Sequence, residues 1–491
     1  MTLKKSSFDE HQNQRYHLPG VLLCSFLCGI LYVFGEAVWD DHDLLQHIQD
    51  SSISNILFSP VGLGEIGEGY YRPLSMLCLK MFQIPQFIHL FILGLHFGTT
   101  FFIYHITKQN WIMALLFAIH PLSNEVLGWS SALPDALSTF LSAGIVVAVT
   151  YKKHSALIFL CAFTAMLAKE NSLVCILIIL FVYQQKTYQF SCLLAVFLYL
   201  IVRFSMIGGA TVPFDWNLAG LGIKGIVWLW GSSIMPLSLT AVRDIWHAPI
   251  FEIAIGCFIP ILVLGIVRHG ESHEKLGALL WIFSPVIAFP TIVSSHFAAE
   301  RYMYLGLFGM ALAFSSLRAD SQKAWRVGIF LFLACFPQHF LRASAWKNDI
   351  NLFTEATKTF PRSSYSYHLL GYSYLNRSDY QNAAIFFEQG LQLEHSYPTE
   401  RLLLIQSLVL SQQPSKALEI AEGGPKIELT AEYIAWWGRA AYEDQKYTQA
   451  LQIWKPIVKR DVNNQIEILD GPSWFVDYIN HISLGEMEQK P

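Results

Sequence analysis

Val38-Trp39-Asp40-Asp41-His42-Asp43 follows directly on an apolar run, Gly20–Val38, with Glu36 just before it. That run approaches the roughly 20 residues a membrane-spanning helix needs, so a helix crossing a bilayer here would deliver the carboxylates at the far surface. Adjacent Asp40 and Asp41 repel each other. Water, a cation or a chemical task must hold them there, and the rest of the chain bears on which.

Of the 491 residues, 53% are hydrophobic and only 14% charged, against a usual charged share of about 25%. The apolar residues form long blocks up to Arg342 and thin out afterwards. An all-α fold is expected: a polytopic membrane helix bundle over residues 1–342, with an external loop at 39–86, and a soluble helical domain over 343–491. The formal net charge of -4 carries no basic signature, and no nucleic-acid partner is expected. All eight cysteines, from Cys24 to Cys335, lie in or beside apolar stretches and read as small buried hydrophobes. The first run follows Lys4, Lys5 and Arg15 but ends in charge rather than in a small-residue cleavage site, so it reads as a retained helix with a cytoplasmic N-terminus.

Further apolar runs are Phe87–Ile106, Trp111–Val126, Leu133–Thr150, Ala156–Ala168, Leu173–Tyr183, Ser191–Ile207, Gly225–Leu239, Ile250–Val267, Leu276–Val293, Tyr302–Ser316 and Val327–Phe340. Lys108, Lys152, Lys153 and Lys186 mark cytoplasmic loops by the positive-inside rule. Asp40–Arg72, the Glu125–Asp135 turn and Lys169-Glu170 then fall outside. The run Gly225–Leu239 decides the second half. If it lies flat or re-enters, as Pro236 suits, Arg268–Lys275 and Arg318–Arg326 are cytoplasmic as well. About eleven spans result, with the tail on the same side as Asp40 and Asp41.

The tail repeats. Leu370-Gly371, Ala383 and Phe387 recur in kind as Trp437-Gly438, Ala450 and Trp454, with gaps of 12 and then 4 in both copies. The copies lie 67 residues apart, close to twice the tetratricopeptide period of about 34. Leu404, Leu408 and Ala417 fit a degenerate middle copy, and Phe353, Ala356 and Pro361 the second helix of a partial one. Such a stack forms a concave surface suited to extended peptide.

The charged residues expected outside are Asp40, Asp41, Arg72, Glu125, Asp135, Lys169, Glu170, Arg203, Glu300 and Arg301. Charge near a span is costly and marks function by default, although snorkelling or pairing within Lys169-Glu170 and Glu300-Arg301 would explain it blandly. Anions and cations on one surface suit a site that holds a phosphate and removes a proton. Glycosyl transfer from a polyprenyl-phosphate sugar fits: the phosphate leaves without a general acid, one carboxylate takes the acceptor's proton, and fixed cations stabilise the departing charge. The lipid needs a groove among the spans. Adjacent Asp40 and Asp41 could also bind a divalent cation, but no full oxygen-ligand set is visible, and no protein metal ligands are assigned.

Val38-Trp39-Asp40-Asp41, Tyr71-Arg72-Pro73-Leu74, His120-Pro121 with Glu125, Asp135-Ala136-Leu137-Ser138, Ala168-Lys169-Glu170 and Ala299-Glu300-Arg301-Tyr302-Met303-Tyr304-Leu305 follow one another in that order. In these motifs the chain resembles the transmembrane and tetratricopeptide-repeat-containing O-mannosyltransferases of the GT-C superfamily. The resemblance implies inverting transfer of a hexose, mannose in the animal members, from an undecaprenyl- or dolichyl-phosphate donor to Ser or Thr of exported proteins. Under it Asp40 is favoured as the base and Asp41 as its orienting neighbour. Lys169, Arg203 and Arg301 would hold the lipid phosphate, with Tyr302 and Tyr304 beside it. Arg72, Glu125, Asp135 and Glu300 would position donor and acceptor. His89, His96 and His120 are expected to be buried packing groups. The short repeat array favours a bacterial inner-membrane protein with a periplasmic tail, or an ER protein with a lumenal tail if eukaryotic. A non-catalytic repeat scaffold, a lipid or polysaccharide acceptor, and a transporter remain alternatives.

Overall fold

A computed structural model describes residues 17–60, 70–207, 216–317, 321–393, 399–423, 430–460, 466–468 and 472–482. Lys4, Lys5, Arg15, Arg318, part of the external loop (61–69) and the segment after Ile207 lie outside the described residues. The chain forms two compact units, Met1–Glu355 and Ala356–Pro491, a division placed after Glu355 rather than after the expected Arg342. The described residues are almost wholly helical, with one short antiparallel strand pair, Val458–Arg460 and Ile466–Ile468.

In the first unit, six helices among the described residues are long and apolar enough to cross a membrane: Pro85–Ile106, Ser130–Thr150, Lys186–Ile207, Ile250–His269, Ser272–Ser295 and Lys323–Ala345. A seventh would be the pair Trp111–Ala118 and Pro121–Gly128, bent by 48°. The bend follows from Pro121, which lacks an N–H and pushes His120 out of the helical region; His120 has extended backbone. His17–Tyr32, Ser155–Ala168 and Ser172–Val182 are shorter apolar helices.

Three expected runs differ in detail. The first helix stops at Tyr32, so the acidic stretch does not continue it. The chain leaves the helix at Val33 and passes Trp346 so closely that a Cβ on Gly35 would lie 3.0 Å from the Trp346 carbonyl oxygen. The run Gly225–Leu239 forms a 14-residue helix, Ala219–Ser232, short of a full span, followed by non-helical chain towards Asp244. Tyr302–Ser316 yields only Tyr304–Ala313, ten residues that are all buried, as expected of a helix apolar on every side. It packs backbone to backbone on Ser272–Phe283: a Cβ on Gly309 would stand 2.6 Å from the Gly277 carbonyl oxygen.

Contacts sort the connecting segments into two sets. In one, Lys108 meets Glu271 at 3.1 Å, Asn110 donates to the carbonyls of Ser315 and Leu317, and the Ser316 N–H donates to Glu274. In the other, the acidic stretch, the Trp129–Ala132 turn, Lys169-Glu170 and Glu300-Arg301 come together around the residues described below.

In the second unit, helices Ser364–Asn376, Tyr380–Leu391, Glu400–Leu410, Pro414–Glu422, Ala431–Glu443 and Tyr447–Trp454 pack each on the next. Three turns share one form. Ser378, Gln412 and Gln445 are left-handed, at φ 60°, 63° and 64°. The residue after each donates its N–H to a carbonyl five residues earlier: Asp379 to Tyr374, Gln413 to Leu408 and Lys446 to Ala441. The left-handed residues lie 34 and 33 positions apart, so the period read from small and aromatic residues is also present in the backbone. Ala383, Phe387, Leu404, Leu408, Ala417, Ala450 and Trp454 are all buried in the core of this unit.

Candidate active site

Asp40 and Asp41 sit at the start of the short helix Asp41–Asp50, with Asp40 at its N-cap position. Their environments differ sharply. Asp41 is fully buried, and its two oxygens accept from the N–H groups of Val38, Ser130 and Ser131 and, at 2.6 Å, from the Ser131 hydroxyl. Four donors leave it little capacity for anything else, and it fastens the Trp129–Ala132 turn to the acidic stretch. Asp40 is only partly buried, yet its Oδ1 is out of water with no hydrogen-bond partner among the described residues. Burial pushes its carboxyl up to about 6; the nearby Arg301 guanidinium and the Ser131 and Trp129 side chains limit the rise. Burial and the neighbouring Asp40 charge push Asp41 up to about 7 despite its donors.

Trp39, just before the pair, has φ 58°, a left-handed conformation uncommon for a bulky residue. Its ring stacks on Trp129 at 5.3 Å and meets Phe353 edge-on at 5.7 Å. The Arg301 guanidinium lies 4.4 Å from the centre of the Trp129 ring and 4.9 Å from that of Tyr302.

The remaining charges pair across the sequence rather than within it. Arg301 donates to Glu125 from both its backbone N–H and its guanidinium. Lys169 donates to both oxygens of Asp135 at 2.6 Å. Arg72 forms a two-pronged pair with Glu170 and lies 4.4 Å over the Tyr70 ring. The bland expectation of neighbour pairing within Lys169-Glu170 and Glu300-Arg301 is therefore not met. Burial lowers the Lys169 ammonium from its ordinary value, with Asp135 opposing and the Arg72 and Arg301 charges adding to the fall. Three cations thus converge about Asp135. Against a burial that would raise it, Arg72 holds the Glu170 carboxyl down to about 2.

Other candidates stand apart. Arg203 is partly buried and bonds the Tyr199 hydroxyl at 3.3 Å, with no carboxylate partner among the described residues. Glu300 is wholly buried, 3.6 Å from Arg342, and does not pair with Arg301. Tyr304 is also wholly buried, its hydroxyl 2.7 Å from His96 Nδ1; it packs the helix interior, whereas Tyr302 alone of the two lies against Arg301. His89, His96 and His120 are buried and bond Ser130, Ala118 and Ser233 respectively. Among the described residues no three His, Cys, Asp or Glu side chains gather as a metal site would require.

An apolar groove of about 600 Å³ begins just beyond Lys169-Glu170 in the chain. It is lined by Leu173, Leu177 and Phe181 of one helix and by Leu279, Phe283 and Ile287 of another segment, among others. Sequence reasoning asked for such a groove but named none of its residues. It also missed Trp129, Ser131 and Arg342, whose partners lie far off in the chain.

No family model matches the chain, and no solved structure matches it. Among curated proteins it is similar to Protein O-mannosyl-transferase F38B6.6 of Caenorhabditis elegans, at 21% identity over 315 residues, which is 58% of this chain and 46% of that protein. The chain thus spans less than half the length of this relative.

Proposed function

We propose that this protein is a membrane glycosyltransferase that moves a hexose from a polyprenyl-phosphate donor to a hydroxyl, with inversion at the sugar carbon. The observation that carries the reading is Asp40, a partly exposed carboxylate beside the Arg301 guanidinium and next to the fully committed Asp41. In the reaction the acceptor oxygen bonds to the sugar's anomeric carbon as the bond from that carbon to the phosphate oxygen breaks. The bonding pair leaves on the phosphate, and the hydroxyl proton passes to Asp40. Arg301, Lys169 and Arg72 would stabilise the negative charge gained by the departing phosphate, as preorganised cations do. Their carboxylate partners fix them in place and keep the site close to neutral when no donor is bound. The groove lined by Leu173, Leu177 and Phe181 would offer the lipid chain an apolar path. The name borne by the similar nematode protein supports glycosyl transfer in general.

The eleven-span arrangement joins the six long helices and the bent pair to His17–Tyr32, Ser155–Ala168, Ser172–Val182 and the buried Tyr304–Ala313. The two sets of loop contacts support it, since alternate loops meet one another. Asp40 would then face the non-cytoplasmic side. The second unit reads as a tetratricopeptide-like array, supported by its three matching turns, and would present Ser or Thr of an exported protein.

The test is transfer of labelled sugar from synthetic polyprenyl-phosphate hexose by purified protein, wild type against Asp40→Asn. Loss of transfer in a folded variant supports the reading. Full activity of Asp40→Asn excludes it.

A further inference from the structure

Trp39 adopts its left-handed conformation next to Asp40, and a bulky residue does so only where its surroundings hold it. Asp349 supplies the hold. Its Oδ1 accepts the Trp39 backbone N–H at 2.7 Å, and its Oδ2 lies 2.8 Å from His42 Nε2 on the other side of the aspartate pair. One carboxylate therefore grips the chain immediately before and shortly after Asp40-Asp41. The segment carrying Asp349 is tied to the same stretch twice more: the Glu36 N–H donates to the Lys347 carbonyl at 3.1 Å, and Phe353 meets the Trp39 ring edge-on. On the opposite side Asp41 holds the Trp129–Ala132 turn, whose Trp129 stacks on Trp39. Asp40 lies between the two clamps and is itself left with an unpartnered oxygen.

We propose that Asp349 is a positioning residue for the Asp40 base. It fixes Trp39 in the left-handed turn and so sets the direction in which the partly exposed Asp40 carboxylate meets the acceptor hydroxyl. The proposal rests on the glycosyl-transfer reading. Asp349 touches neither donor nor acceptor in it and acts through the backbone of Trp39. The hydrogen bond needs only an acceptor oxygen, which asparagine retains and alanine does not. His42 serves as the second anchor of the same carboxylate and is half exposed.

The test compares Asp349→Ala with Asp349→Asn in the full-length protein in detergent, by two measurements. Hydrogen exchange of the segment containing the Trp39 amide reads the clamp without any chemistry: protection is lost in Asp349→Ala and kept in Asp349→Asn. Steady-state transfer reads its consequence. In Asp349→Ala, kcat falls by up to about a hundredfold, as a misplaced catalytic group does, while the KM for the polyprenyl-phosphate sugar stays within a few-fold; Asp349→Asn recovers most of the rate. Lost protection with an unchanged kcat overturns the positioning role, and so does an equal fall of rate in both variants with protection kept in Asp349→Asn. A wild-type protein without transfer overturns the glycosyl-transfer reading instead, and the exchange data still decide whether Asp349 holds the turn.

Discussion

Lys169 donates to both oxygens of Asp135 at 2.6 Å, and the two residues are buried together at the end of adjacent apolar helices. Removing one partner strands the other. Lys169→Met leaves the Asp135 carboxylate buried without its closest cation, a loss of about 3–5 kcal/mol for such pairs. The nearby Arg72 and Arg301 charges place the expected value at the low end. The double variant Asp135→Asn with Lys169→Met regains most of the stability, because it removes both charges. Thermal unfolding in detergent measures this, and a double variant as weak as the single one would contradict it.

The two aspartates should separate by what their loss costs. Asp40→Asn is expected to lower transfer by about 10²–10⁴-fold, the usual worth of a general base, without lowering the unfolding midpoint. Asp41→Asn keeps one acceptor oxygen but turns an amide towards buried N–H donors. It should lose about 1–3 kcal/mol of stability for each donor left unpaired. Activity and melting measured on both variants test the assignment. The reverse pattern would make Asp41 the base.

Transfer should rise with pH through about 6, because Asp40 accepts a proton only when ionised and burial has pushed its carboxyl up to that value. Stability runs the other way. Asp40 and Asp41 titrate at about 6 and 7 in the folded protein, above their ordinary 3.8, so the folded state binds more protons between pH 3.8 and 7. Their contribution is fully present below that window and is lost as pH rises through it. Buried Glu300 is raised too and adds to this trend. Glu170, held down to about 2, acts oppositely but only below its ordinary 4.5. Rate and unfolding midpoint followed from pH 5 to 8 should therefore diverge. A rate independent of pH across that range would remove Asp40 from the proton transfer.

Much of this was legible in the residues. Apolar blocks separated by charged turns predicted the helices, six of which among the described residues are long and apolar enough to cross a membrane. The pairings were not legible. Arg301 finds Glu125 and Arg72 finds Glu170 across 176 and 98 positions, whereas sequence offers only neighbours, and neighbours on one turn often point apart. The break of the first helix at Tyr32 was hidden for a related reason: Val33–Val38 is apolar enough to be helical, and its departure is set by packing on distant Trp346. Tyr304 shows the converse. Its motif placed it beside Arg301, but at the start of a helix it points back into the bundle towards His96.

Gly438 gives a test of the second unit. A Cβ there would stand 2.0 Å from Trp454 Nε1, and the matching position Gly371 would meet the Phe387 ring at 2.9 Å. These are the glycine–aromatic pairs of the sequence repeat, so the repeat records a close helix approach. Gly438→Ala should overpack that contact and cost about 1–3 kcal/mol, read as a lower unfolding midpoint of the protein. Trp454→Leu is itself costly, since it empties a buried site, but it makes room for the added methyl, so Gly438→Ala should cost less in that background than in the wild type. Wild-type stability in the single variant would show that the helices separate freely there.

The groove tests whether the donor's lipid is bound apart from its phosphate. Leu177 lies on the groove wall, and none of Arg72, Lys169 and Arg301 lines the groove. Leu177→Trp fills part of the groove without altering any charge. If the lipid chain runs there, the KM for a long polyprenyl-phosphate sugar should rise by about tenfold, the loss of roughly two buried methylene groups. The KM for a short-chain analogue, which ends before Leu177, should not change, and kcat should hold with both donors. An equal rise for both chain lengths would place the effect at the phosphate. No change with either would send the lipid along another face of the bundle.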